Sequence, residues 1–282
     1  MLPQTERYLD LARAGRNAWW RYALGVLVIA FFWLALGYVP YFALVASGLE
    51  TDPLLQFVAV NFSIFMMLAG LAVAVKCLHG RPVMSLVSPD GRLDFRRIAH
   101  GAAVWVLIAA LVAALEHALF PGRYYLSFNP DRFFMFFAAV AVLTPIQCAA
   151  EELVFRGYAL QAFGLLTRRP WAIACASSLA FTLPHLLNPE VYRYGVLIMA
   201  ANYFAIGMVL ATVTLRDGRL ELAIGLHAVN NVFLALFANY EGSALMTESV
   251  FTAAVLDPVY SLVTLAVGGL LFHWWIFRRV AA

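Results

Sequence analysis

The stretch FFMFFAAVAVLTPIQCAAEELVFRG, Phe133–Gly157, joins a long apolar run to two adjacent carboxylates and an arginine. The apolar character continues to Leu166, and Glu151, Glu152 and Arg156 are the only charged side chains between Phe133 and Leu166. A helix needs about 20 predominantly apolar residues to cross a bilayer. The stretch therefore predicts a membrane-spanning helix that carries three charged side chains inside the protein.

The rest of the chain repeats this apolar pattern. Of its 282 residues, 63% are hydrophobic and 12% are charged, and its mean hydropathy is +0.81. Such values exceed those of water-soluble domains and leave no room for a sizeable soluble unit. We therefore predict an all-α, polytopic membrane protein with about eight transmembrane helices. The predicted spans are Tyr22–Ala46, Leu54–Leu78, Ile98–Phe120, Phe133–Leu166, Trp171–Leu187, Tyr194–Leu215, Leu222–Ala238 and Val250–Phe277.

Basic residues alternate along the chain in a way that predicts its orientation. Short cytoplasmic loops retain lysine and arginine, so the segments that carry them are expected in the cytoplasm, together with both termini. Residues 1–21 would be a cytoplasmic segment, either an interfacial helix or a solvated basic tail, and residues 22–278 one transmembrane domain. The basic residues on this side are Arg7, Arg13, Arg16, Arg21, Lys76, Arg81, Arg92, Arg96, Arg97, Arg168, Arg169, Arg216, Arg219, Arg278 and Arg279.

Charge and cysteine content exclude some other functions. The net charge of +3 follows from this asymmetry and from anionic headgroups, so it indicates no nucleic-acid partner. Cys77, Cys148 and Cys175 have no CxxC spacing and predict neither a disulfide framework nor a zinc knuckle. Arginine outnumbers lysine 18 to 1, which points to a GC-rich bacterium and hence to a bacterial inner membrane.

The charged cluster in the opening stretch is the first candidate site. A charge near the bilayer centre costs roughly 2.5–3.5 kcal/mol on insertion scales, so such residues are functional candidates. At about 100° per residue, Glu152 and Arg156 lie roughly 40° apart on a helix and can pair, whereas Glu151 is about 140° from the arginine. Glu151 is then free to accept a proton. A purely structural ion pair beside a carboxylate in a wet crevice is the alternative.

Two further motifs place polar side chains in predicted spans. FTLPH, Phe181–His185, ends in a histidine, and Pro184 removes a backbone donor beside it. HAVNN places His227, Asn230 and Asn231 on one helical face. Such a stripe can stabilise an oxyanion, although each residue could equally form interhelical hydrogen bonds.

Together the three motifs resemble the type II CAAX prenyl endopeptidase family, also called the CPBP intramembrane proteases. The family pattern E-E-x-x-x-R, F-x-x-x-H and H-x-x-x-N is filled at every marked position, and the resemblance covers residues 149–231. It implies an intramembrane endopeptidase in which Glu151 activates water, His185 assists, and His227 and Asn231 stabilise the oxyanion. The supporting residues would be Glu152, Arg156, Asn230 and Phe181.

The resemblance leaves cofactor and substrate open. His185, His227 and Glu151 could hold zinc, but a metal-free mechanism is slightly favoured because a ligating Glu151 would no longer be free as the base. The expected partners are the lipid bilayer and a membrane-embedded or lipidated substrate, either a CAAX-type protein or a bacteriocin or other peptide precursor. Oligomeric state is not predicted.

Three alternatives stay open. A noncatalytic membrane scaffold for peptide binding would keep the same polar cavity. A proton-coupled transporter could use the same acids and histidines as a relay, although no inverted repeat is visible. A thiol protease would use Cys148, one turn before Glu151.

Straight helices would not bring the motifs to one depth. Counted from the cytoplasmic ends, His227 is shallow, Glu151 intermediate and His185 deepest. We expect Pro145 and Pro184, or an irregular entry to the fourth predicted helix, to adjust these depths.

Overall fold

The computed structural model describes residues 1–244 and 247–278, so Arg279, placed above on the cytoplasmic side, lies outside the described residues. The chain is almost entirely helical. Its helices are α1 (Pro3–Asp10), α2 (Trp19–Ala46), α3 (Pro53–Leu78), α4 (Phe95–Leu119), α5 (Pro130–Leu166), α6 (Pro170–His185), α7 (Pro189–Tyr194), α8 (Val196–Asp217), α9 (Glu221–Leu236) and α10 (Pro258–Phe277). The all-α, polytopic prediction is confirmed.

Six of these helices are long and apolar enough to cross a membrane within the described ranges: α2, α3, α4, α5, α8 and α10. The helices at the predicted fifth and seventh spans, α6 and α9, have 16 residues each. At 1.5 Å per residue they are about 24 Å long, shorter than the roughly 30 Å hydrocarbon core. The count of eight therefore stays a prediction, and the two short helices are those that carry the histidine motifs.

The predicted eighth span begins too early. α10 begins at Pro258 because the side chain of Asp257 accepts hydrogen bonds from the backbone N–H groups of Val259 and Tyr260, an N-cap that starts a helix there. The preceding residues instead form part of a small sheet of strands β1 (Tyr124–Leu126), β2 (Ala238–Tyr240) and β3 (Phe251–Ala253).

The three-stranded sheet joins loops at one end of the helical bundle. Its order is β1–β3–β2, with β1 antiparallel and β2 parallel to β3. Tyr124 pairs with Ala253, and Ala238 pairs with Phe251. The sheet therefore ties together the connections after α4, after α9 and before α10, at the end away from the basic loops.

Glycines allow α9 to pack closely on α4. A Cβ added to Gly225 would lie 2.0 Å from the carbonyl oxygen of Ile98, and one added to Gly101 would lie 2.5 Å from that of Leu222. Small residues let two membrane helices approach at backbone distance. α9 also packs on α5, so the stripe that carries His227 is held against the helix that carries Glu151.

The N-terminal segment packs into the basic end of the bundle. Thr5, Tyr8, Leu9 and Ala12 are buried, and α1 contacts the end of α5 and α8. The Tyr8 hydroxyl donates to the carbonyl oxygen of Leu86 over 2.6 Å. It also lies 3.0 Å from the carbonyl oxygen of Arg156 in α5. Residues 1–14 therefore cover this end of the bundle. Their contact with lipid stays a prediction.

Candidate active site

A buried ion pair anchors the site. Glu152 and Arg156 are both 0% exposed, and Arg156 Nη1 donates to Glu152 Oε1 over 2.9 Å. Arg156 also donates to the carbonyl oxygen of Gly207, and its guanidinium lies 4.2 Å from the ring centroid of Phe181. Charges removed from water need such close partners. The pair therefore ties α5 to α6 and α8.

An irregular helical turn lies next to this pair. Leu153–Ala159 is π-helical, and Glu151 and Glu152 end the regular part of α5. Wide π-helical turns are uncommon and are often found at functional sites.

Glu151 lies between two imidazoles. Its Oε2 is 3.9 Å from His185 Nε2 and 4.0 Å from His227 Nε2. Both separations exceed hydrogen-bond distance, yet one water could contact the carboxylate and either ring. Oε1 accepts a hydrogen bond from Gln147 Nε2 over 3.2 Å. Glu151 thus has a hydrogen-bond partner one turn away in its own helix, and its Oε2 atom is left facing the histidines.

The other ring nitrogens of both histidines are engaged. His227 Nδ1 lies 2.8 Å from Glu152 Oε1, and His185 Nδ1 lies 2.7 Å from the carbonyl oxygen of Phe181. Because both partners are acceptors, each Nδ1 carries a hydrogen. The Nε2 atoms are thereby left facing Glu151, which is the orientation that acid–base chemistry at this carboxylate requires.

The asparagine pair extends the polar stripe. Asn231 Nδ2 lies 3.5 Å from His227 Nε2. Asn230 Nδ2 donates to Asn231 Oδ1 over 3.2 Å, and Trp105 Nε1 donates to Asn230 Oδ1 over 3.0 Å. Trp105 therefore orients Asn230, which in turn fixes the Asn231 amide so that its N–H faces the site.

Phe181 packs at the centre of these residues. Its ring centroid lies 4.2 Å from that of His185, 5.3 Å from Phe155 and 6.0 Å from His227. The other face of the His185 ring meets Tyr203 at 4.8 Å. Phe181 therefore contacts the buried Arg156 guanidinium as well as both imidazoles, and it helps to hold the two rings in position.

A cavity of about 570 Å³ opens onto these side chains. Glu151, His185, His227, Asn230 and Asn231 all line it. Glu152 and Arg156 lie behind that surface, in the protein interior. The structure thus divides the predicted residues into groups that face the cavity and groups that hold them.

The predicted difference in depth is absent, since Glu151 Oε2 lies within 4.0 Å of both His185 and His227. The first residue of α9, Glu221, is fully buried. The N–H of Leu220, just before it, donates to the carbonyl oxygen of Val87 in the connection between α3 and α4. α9 therefore begins at a position that other parts of the protein cover. Pro145 and Pro184 both lie inside helices, as expected.

The donor set fits zinc in type but not in arrangement. Two imidazoles and a carboxylate are ordinary zinc ligands, and a carboxylate on the second ring nitrogen, as for His227, is a common supporting contact. Within the described residues, however, no group of three or more His, Cys, Asp or Glu side chains is placed to hold a metal ion.

Sequence reasoning missed several cavity residues. Gln147, Trp105 and Tyr203 contact the site through long-range packing, and no motif marks them. Glu116, which no motif marks either, lines the cavity and pairs with Arg123 over 2.7 Å. Spacing could have indicated Gln147, which lies one turn before Glu151.

Comparison with known proteins gave a family model and a bacterial relative that match this chain. A family model described as Type II CAAX prenyl endopeptidase Rce1-like matches residues 130–233, which contain all three motifs. "Uncharacterized protein YyaK" of Bacillus subtilis (strain 168) is 30% identical over 262 residues, which are 87% of this chain and 87% of that protein. No solved structure matches the chain. With its helical membrane fold, this chain belongs to the type II CAAX prenyl endopeptidase family of intramembrane proteases.

Proposed function

We propose that this protein is an integral membrane endopeptidase that hydrolyses a peptide bond of a membrane-associated substrate with Glu151 as the general base. The observation that carries the proposal is the position of Glu151 Oε2, which lies 3.9–4.0 Å from two imidazole Nε2 atoms in a large cavity. A water held there would contact the carboxylate and an imidazole together. Family membership supports the peptidase class, and the residue roles are our assignment.

The first step is attack by water. Glu151 removes a proton from a water that His185 Nε2 holds, and the oxygen adds to the substrate carbonyl to form a tetrahedral oxyanion. Asn231 donates its amide N–H to this oxyanion, and His227 donates from Nε2 when both of its ring nitrogens are protonated. The carboxylate of Glu152 at Nδ1 balances the added charge on His227.

The second step is cleavage. Protonated Glu151 transfers its proton to the substrate nitrogen, the C–N bond breaks, and the oxyanion collapses to a carboxylic acid. The Glu151 carboxylate is regenerated, so the reaction consumes one water and no other reactant. Arg156 and Phe181 act only through the groups that they hold.

Location and substrate are part of the same proposal. The excess of arginine over lysine favours a bacterial inner membrane, and the basic flanks favour both termini in the cytoplasm. The substrate is a membrane-embedded or lipidated polypeptide, of the CAAX type or a peptide precursor. The chemistry needs no metal, although zinc held by His185, His227 and Glu151 stays a hypothesis that metal analysis of the purified full-length protein tests.

The experiment replaces the carboxylate without changing its shape. Membranes of cells that express wild-type protein or Glu151→Gln are compared by mass spectrometry for peptides that accumulate, and these peptides are then offered to each purified protein in proteoliposomes. Glu221→Gln is the matched control, since Glu221 is buried but does not line the cavity. We expect cleavage by wild type and the control and none by Glu151→Gln. Cleavage by Glu151→Gln at the wild-type rate would refute the proposal.

A further inference from the structure

The cavity extends from the candidate active site toward only one end of the bundle. On α3 its lining residues lie between Gln56 and Met67, and all of them except Met67 are in the first half of the helix. On α10 they lie between Tyr260 and Leu265, near the start of the helix. Beyond these helices the cavity reaches Tyr124, in strand β1, and Ser243, which follows strand β2. Apart from Met67, each of these residues lies toward the end that carries the sheet.

The opposite end of the bundle is closed. Within the described chain, no residue between 68 and 104, between 156 and 180 or between 207 and 226 lines the cavity. Tyr8, Leu9 and Leu86 are fully buried there, and the Tyr8 hydroxyl lies 3.0 Å from the carbonyl oxygen of Arg156, directly behind the site. The N-terminal segment therefore stands between the site and this end.

The charges of the two ends differ. The closed end carries arginines in the connections after α3, α5 and α8, and some of them, such as Arg168 and Arg219, form ion pairs with aspartates. At the open end Arg123, Arg132 and Arg193 each form an ion pair, with Glu116, Glu248 and Glu241 respectively. Cytoplasmic loops carry an excess of lysine and arginine, and acidic residues beside them matter little. Most of the lysine and arginine residues of the described chain lie at the closed end, which makes that end the cytoplasmic one.

We propose that the cavity is entered from the extracytoplasmic side, and that its substrate is a membrane-anchored polypeptide whose scissile segment lies at the outer leaflet. Hydrolysis of that segment rests on the proposed function, whereas the side of access does not. A prenylated C terminus, which lies at the cytoplasmic leaflet, would meet the closed end. The geometry therefore favours a precursor peptide over a CAAX-type protein.

Thiol accessibility tests the direction of access. In full-length protein with Cys77→Ser and Cys175→Ser, Thr264→Cys places a thiol in the cavity and Arg92→Cys places one at the closed end. Val263→Cys is the matched control, because Val263 precedes Thr264 on α10 but is exposed on the outer surface of the bundle and does not line the cavity. Spheroplasts and inside-out vesicles are treated with the membrane-impermeant cationic reagent 2-(trimethylammonium)ethyl methanethiosulfonate, and the remaining thiols are counted after denaturation.

We expect Thr264→Cys to react about tenfold or more faster in spheroplasts than in inside-out vesicles, since a cation does not cross the bilayer. Arg92→Cys should react only in vesicles, and Val263→Cys slowly in both. Faster reaction of Thr264→Cys in vesicles, reaction of Arg92→Cys in spheroplasts, or equal rates for Val263→Cys and Thr264→Cys would each overturn the proposal. Ser261→Cys, which also faces the cavity, replaces Thr264→Cys if that variant does not fold. The proposed hydrolysis is tested separately: cleavage by Glu151→Gln at the wild-type rate would refute it and would leave the direction of access unaffected.

Discussion

Replacing Arg156 by methionine should destabilise the protein more than any exposed arginine replacement. The guanidinium and the Glu152 carboxylate are both 0% exposed, and Glu152 Oε2 has no hydrogen-bond partner within residues 1–244 and 247–278. Methionine fills similar space but leaves Glu152 with His227 as its hydrogen-bond partner. Removing one member of a buried ion pair costs about 3–5 kcal/mol, a large share of the roughly 5–15 kcal/mol that stabilises a typical domain.

The matched control is an exposed pair. Arg193 and Glu241 lie 3.6 Å apart, with side chains 43% and 47% exposed, and such pairs contribute about 0–1 kcal/mol. Unfolding of the purified full-length variants in mixed micelles, with sodium dodecyl sulfate as denaturant and circular dichroism as readout, gives both free energies. Adding Glu152→Gln to Arg156→Met should recover about 0.5–3 kcal/mol, because the two residues interact directly.

Two results would contradict this reasoning. If Arg156→Met lowers the free energy of unfolding no more than Arg193→Met, the buried pair does not stabilise the fold. If the double variant is less stable than Arg156→Met, Glu152 is not the group that the arginine neutralises.

Three other predictions concern the wall of the cavity and its chemistry. Trp105→Phe removes the hydrogen bond to Asn230, worth about 0.5–1.5 kcal/mol, and should lower kcat about 2- to 10-fold with KM nearly unchanged; a change confined to KM would argue against an orienting role. Chelator treatment of purified protein should leave cleavage unchanged, and loss of cleavage restored by zinc would show a metal mechanism. The N–H of Tyr260, with Arg123 as a further cause, holds the pKa of Asp257 below its usual range. Asp257→Asn should therefore lower the Tm in detergent above the usual aspartate pKa, and its difference from wild type should vanish as the pH falls through the lowered pKa; a constant difference would disprove the linkage.

The sequence by itself determined the class of the protein. Composition and apolar periodicity predict a helical membrane bundle because the bilayer leaves backbone groups no other partners than those within a helix. The i, i+4 spacing of Glu152 and Arg156 predicts their ion pair, since the contact is made within one helix. The sequence did not predict where the last span begins. Strand β3 replaces the expected start of the helix because it pairs with β1 and β2, which lie far away in the sequence.

Tertiary structure decided what the polar residues face. Glu151 comes next to His185 and His227 only because α9 begins inside the protein and packs on α4 through Gly225, contacts between segments far apart in sequence. The same packing brings Trp105 and Tyr203 to the site and closes one end of the cavity with Tyr8. Helical spacing places side chains on a face, but the partner of that face depends on how helices pack, which no local pattern encodes.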